Sequence, residues 1–94
     1  MEKLPDNVKD LRSFIRTKSK DRILEIMSSS GLSKEEIDLV LLRYKDKYSL
    51  TKVAYLRNTN ASSVSRKCSR ALQQILDYFV FSSAKNSHKI ENFS

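Results

Sequence analysis

Ser62, Ser63, Ser65, Arg66, Lys67, Ser69 and Arg70 crowd into a few positions of the chain. Placed on a helix at roughly 100° per residue, Ser62, Arg66, Ser69 and Arg70 take the face opposite Val64. Ser63 and Ser65 flank that face, and Lys67 sits nearer its boundary. The chemistry open to such a surface is recognition rather than bond making. A guanidinium bonds in a bidentate manner to guanine or phosphate, and serines are small enough not to hold a helix backbone away from a groove. A solvated helix is the plainer alternative, since Ser and Arg are ordinary surface residues. Glu and Lys in i, i+4 pairs would serve that purpose better, yet no acidic residue occurs between Lys47 and Leu76.

The charge distribution points the same way. Between Arg43 and Arg70 lie Arg43, Lys45, Lys47, Lys52, Arg57, Arg66, Lys67 and Arg70, against Asp46 alone. That segment carries the whole net charge of +7, while the remaining ten basic and ten acidic residues cancel. A localised basic field is the footprint expected for a partner made of phosphates. Other site chemistries find little support. One His (His88) and one Cys (Cys68) do not assemble a Cys/His zinc site. There is no Gly-rich phosphate loop and no Ser, His and acid arrangement, so neither catalytic residues nor a cofactor is expected. Glu35, Glu36 and Asp38 form the one acidic cluster, which capping and the helix dipole explain.

The elements that must position this face are helical. Ninety-four residues suit one small domain, and a chain with one Gly, one Pro and no Trp favours an all-α fold of about five helices. Pro5, Asp6 and Asn7 announce a first helix with its stripe at Val8, Leu11, Phe14 and Ile15. A second pattern, Ile23, Leu24, Ile26 and Met27, stops in SSSG, where Gly31 supplies a C-cap or hinge. Ser33 to Glu36 has the form of a capping box. The helix it opens holds Ile37, Val40, Leu41 and Tyr44 on one face, widened by Leu39 and Leu42, and is expected to end near Lys47. A two-turn helix follows in LTKVAYLR, with Leu50, Val53 and Ala54 inward and Leu56 or Tyr55 as a further contact. Asn58, Thr59 and Asn60 then interrupt it, Asn being tolerant of left-handed backbone and Asn60 a favoured N-cap. Beyond them Val64, Cys68, Ala71, Leu72, Ile75 and Phe79 form a stripe about four turns long.

Two helices joined by a short turn, the second basic, define a helix-turn-helix. The run from Leu32 to Leu76 resembles region 4 of the sigma-70 family, and the small phage and mobile-element regulators that share it. The likeness is carried by Leu32-Ser33, Leu42-Arg43-Tyr44, Ser49-Leu50, Val53-Ala54, Val64 to Lys67, and Ser69 to Leu72. The sequence departs from that pattern where Asn58 takes the place of a turn Gly, Arg57 that of an apolar residue, and Lys45 to Lys47 that of a Gly. No stretch resembles region 2, so the resemblance implies a stand-alone DNA-binding transcriptional regulator rather than a complete sigma factor. By the same resemblance Ser62, Ser63, Arg66, Lys67 and Arg70 match recognition-helix positions. Ser49, Thr51 and Lys52 match positions that reach phosphates at the start of the scaffold helix.

The SSSG break at Gly31 and the polar composition from Ser82 divide the chain into an N-terminal helical segment (1–31), the helix-turn-helix domain (32–81) that the resemblance implies, and a polar tail (82–94) expected to be flexible. The expected partner is double-stranded DNA, with RNA polymerase as a second. The rival is a protein- or RNA-binding adaptor of the same fold, of the kind that works beside signal-recognition machinery. The apolar stripes of the first two helices either cap the core or form a homodimer contact, for which Phe79 and Phe81 are the other candidates. A lone cysteine, the absence of a signal-peptide pattern and apolar runs far shorter than the roughly 20 residues of a membrane span give a cytoplasmic expectation with no membrane partner.

Overall fold

A computed structural model describes residues 4–92, with side chains through Ser82. The regular structure of the described residues is wholly helical: α1 Val8–Thr17, α2 Lys20–Ser29, α3 Lys34–Val40, α4 Leu50–Leu56 and α5 Ala61–Asn92, with a π-helical turn, Leu41–Lys45, continuing α3. The expected flexible tail from residue 82 falls almost entirely outside the described side chains. No helix of the described residues is long and apolar enough to cross a membrane.

Side-chain caps fix the helix starts. Asn7 accepts from the Asp10 N–H at 2.8 Å and Ser19 from that of Arg22 at 3.3 Å. The capping box at α3 is complete: Ser33 Oγ accepts from the Glu36 N–H at 3.2 Å, and Glu36 Oε1 accepts from the Ser33 N–H at 2.9 Å. Each such cap contributes about 0.5–2 kcal/mol. Gly31 closes α2 with φ of 86° in a Schellman motif, in which Gly31 N–H donates to Ser28 and Leu32 N–H to Met27. Leu32 and Met27 are both buried, the apolar contact that accompanies this turn.

Two distant side chains finish the other ends. The Lys45 ammonium donates to the carbonyls of Arg16 and Lys18 at the end of α1, and Gln74 Nε2 donates to Ser30 at the end of α2, at 2.9 Å. Carbonyls that a helix end leaves unpaired are thereby satisfied from elsewhere in the fold.

The core has two parts. The larger gathers Leu11, Phe14 and Ile15 of α1 and Ile23, Ile26 and Met27 of α2 around Val40, Leu41, Ala71, Leu72, Ile75, Leu76 and Phe79. The smaller holds Leu39, Val53, Ala54, Val64 and Cys68, with Leu42, Tyr44 and Leu50 packed against it. The stripes of α1 and α2 are therefore used up inside the chain. Phe79 belongs to the same core, edge-on to Phe14 at 6.2 Å, so of the aromatic pair offered for dimerisation only Phe81 is exposed.

One further expectation is corrected. Leu56 and Tyr55 do not pack inward: they are 46% and 79% exposed, because Val53, Ala54 and Leu50 already fill the seven-residue face of α4. The central helix keeps the expected face: Ile37, Val40, Leu41 and Tyr44 share the larger cluster, Leu39 and Leu42 widen it into the smaller one, and the helix ends at Lys45. Its last turn opens to π geometry, with Asp46 N–H reaching Leu41 at 2.8 Å, and its apolar run serves both clusters. Leu72→Ala and Ile15→Ala are each expected to lower unfolding free energy by about 2–5 kcal/mol. Both should shift one common urea transition; early melting of residues 4–31 alone in the Ile15 variant would contradict a shared core.

Candidate nucleic-acid interface

The turn between α4 and α5 is set by backbone chemistry. Asn58 has φ of 55°; its N–H donates to Tyr55 at 3.2 Å, and that of Thr59 donates to Ala54 at 2.9 Å. These bonds form a second Schellman motif, with Asn in the left-handed position where Gly is commoner. Asn60 then caps α5, its Oδ1 accepting from the Ser63 N–H at 2.8 Å. Ser49 caps α4, accepting from the Lys52 N–H at 3.1 Å, and its hydroxyl hydrogen is left to donate elsewhere. α4 thus starts and stops, and α5 starts, at defined residues.

Inward packing decides what α5 presents. Val64, Cys68, Ala71 and Leu72 are at most 1% exposed, which turns Ser62, Ser65, Arg66, Ser69 and Arg70 outward. Ser63 and Lys67 are half-buried beside them. Ser63, Arg66, Lys67 and Arg70 line one shallow depression of about 210 Å³. A second, of about 430 Å³, is lined by Leu50, Ala61, Ser62 and Ser65 where α4 and α5 begin. Thr51 and Lys52 are exposed on α4, next to Ser49, and line neither depression. No acidic residue occupies the first turn of α5.

The basic side chains divide by what they touch. Lys67 pairs with Glu35 of α3 at 2.6 Å, and Arg57 stands 3.9 Å from Asp38. Lys67 holds the Glu35 carboxyl below its ordinary range, first through the hydrogen bond and then through its charge. Glu35 and Asp38 thus tie α5 and the turn before it to α3, a role the sequence did not reveal because their partners are distant in the chain. Arg43 donates to the Tyr48 carbonyl at 3.2 Å, and Lys45 serves α1. Arg66, Arg70 and Lys52 have no hydrogen-bond or ion-pair partner for their side chains among the described residues.

Comparison with protein-family models, with curated proteins and with solved structures finds no match.

Two outcomes test the unit. Asn58→Gly is expected to keep or slightly raise stability, whereas Asn58→Val should lower it by about 1–2 kcal/mol, since a β-branched residue resists left-handed backbone. Urea denaturation measures both. Burial pushes the Cys68 thiol up, against a smaller opposing pull from Arg43. As pH rises the unfolded thiol ionises first, the unfolded state binds fewer protons, and stability falls above about pH 8.5. Burial raises Tyr44 likewise, with Arg12 and Arg43 opposing, which extends the loss to higher pH. Cys68→Ala should flatten the first part of that fall; an unchanged slope between about pH 8 and pH 10 would count against it.

Proposed function

We propose that the chain is a sequence-specific DNA-binding transcriptional regulator, of the sigma-70 region 4 type, that lays the first turns of α5 in the major groove. The observation that carries this reading is the pair Arg66 and Arg70. Both are exposed, one turn apart, on a helix whose start is capped and whose buried face fixes their direction. Two unpartnered guanidiniums flanked by Ser62, Ser63 and Ser65 suit a groove that a helix backbone must approach closely.

The remaining candidates take graded roles in this reading. Ser49, Thr51 and Lys52 meet phosphates at the start of α4, where they set register without reading sequence. Lys67 shares its charge with Glu35, so it positions α5 on α3 and adds a weaker pull on phosphate. RNA polymerase is the second partner implied by the same resemblance, and exposed Tyr55 and Leu56 on α4 favour some protein contact. An adaptor that binds only protein or RNA would use that apolar pair and leave Arg66 and Arg70 without sequence-reading work.

Selection of bound duplexes from a random pool at moderate salt discriminates these readings. The wild type is expected to enrich one motif, and the Arg66→Ala/Arg70→Ala variant none. Loss of one bidentate base contact should cost about 1–3 kcal/mol and relax preference at one position, while Lys52→Ala should weaken all sequences alike and reduce the salt slope by about 1. Absence of enrichment by the wild type, with RNA polymerase co-purifying, would replace the DNA reader with an adaptor.

A further inference from the structure

The positive charge not used by the helix-turn-helix gathers in a second place. Arg12 and Arg16, one turn apart on α1, meet Arg43, Tyr44 and Lys47 around a depression of about 320 Å³ that no acidic side chain lines. Two of the guanidiniums lie over the ring of Tyr44, Arg12 at 5.9 Å and Arg43 at 5.5 Å from its centroid. Its walls are held together by Lys45, which bridges from the π turn to the end of α1. Arg16 and Lys47 have no hydrogen-bond or ion-pair partner for their side chains among the described residues.

Local contacts account for only part of this arrangement: Arg12 and Arg43 lie over the Tyr44 ring and Arg43 donates to the Tyr48 carbonyl, but none of these contacts calls for Lys47. The dipole of α1 favours a cation in its last turn, which explains Arg16. Lys45 already answers the carbonyls there, and Arg12, Arg43 and Lys47 gain nothing from that dipole. Cations at i and i+4 on a helix repel, as Arg12 and Arg16 do. Lys47 stands at φ of 63°, a backbone conformation that glycine adopts at lower cost. A lysine there keeps a charge at the rim of the depression at the expense of backbone strain.

We propose that this pocket binds a phosphoryl anion of pyrophosphate size. Guanidinium forks match pairs of phosphate oxygens, and a converging set of cations without a counter-charge suits a ligand bearing several negative charges. The Tyr44 phenol, neutral at ordinary pH, belongs to the same wall. Two sources share this chemistry: the di- or triphosphate of a free nucleotide, and adjacent backbone phosphates of a nucleic acid. The site uses none of the recognition-helix residues, so it stands or falls separately from the duplex reading.

Calorimetric titration of the full chain with inorganic pyrophosphate at low salt tests it. One saturable site is expected, weakened about tenfold or more in Arg16→Gln/Lys47→Gln and unchanged in Arg66→Ala/Arg70→Ala. Circular dichroism of both variants guards against unfolding, and Lys47→Gln alone, weakened about threefold, serves where the double variant does not fold. No saturable binding, binding indifferent to Arg16 and Lys47, or equal loss in the Arg66/Arg70 variant would overturn the proposal. Competition then names the source. Displacement by a nucleoside triphosphate but not by random-sequence duplex supports a free nucleotide, displacement by duplex supports backbone phosphates, and displacement by neither overturns the site.

Discussion

The unbroken apolar stripe of α5 is the constraint on which the rest of the structure depends. Val64 and Cys68 close the small cluster with Leu39, Val53 and Ala54, and Ala71, Leu72, Ile75, Leu76 and Phe79 continue into the large one. One rigid helix thus couples the turn-bearing α4 to the N-terminal pair. Because residues on a helix are fixed relative to one another, burying this stripe also aims Arg66 and Arg70. A kink between Cys68 and Ala71 would separate the two clusters and leave the basic face without a defined direction.

Tyr44 and the π turn make the second joint. Tyr44 packs against both clusters, and helical spacing divides the apolar run Leu39 to Leu42 between them. The same turn delivers Arg43, Lys45 and Lys47 to the end of α1. What looks in the sequence like one uniform basic segment therefore becomes distinct populations in space. Lys45 finishes a helix, Lys67 and Arg57 face acids on α3, and Arg66, Arg70 and Lys52 are left to solvent.

Local signals were the legible ones. The capping box at Ser33, the left-handed Gly31 and Asn58, the Asn60 cap and the stripe from Val64 to Phe79 all follow from residue type and short-range spacing, and each takes that form in the fold. Long-range pairing was not legible. Nothing near Lys45 in the sequence predicts that it will reach Arg16 and Lys18, nothing near Glu35 names Lys67, and nothing near Gln74 names Ser30. Periodicity also failed for Leu56, an apolar residue at a plausible position, because the short face of α4 was already filled. The pocket of Arg12, Arg16, Arg43 and Lys47 was invisible for the same reason: its walls lie in two segments that only folding brings together.

The two basic surfaces have a shared thermodynamic consequence. Like charges held close in a compact chain repel, and a net charge of +7 on 94 residues opposes folding unless counter-charge is near. Glu35 and Asp38 relieve part of that strain at α3, but no acid lines either the Arg66/Arg70 depression or the Arg12/Arg43 pocket. A phosphate partner that binds the folded state there neutralises this repulsion, and any ligand selective for the folded state stabilises it by mass action. If the proposed phosphate partners bind, binding and folding are linked through the same side chains. A bound polyanion would offset the repulsion among those cations, and salt would weaken that repulsion and the attraction together.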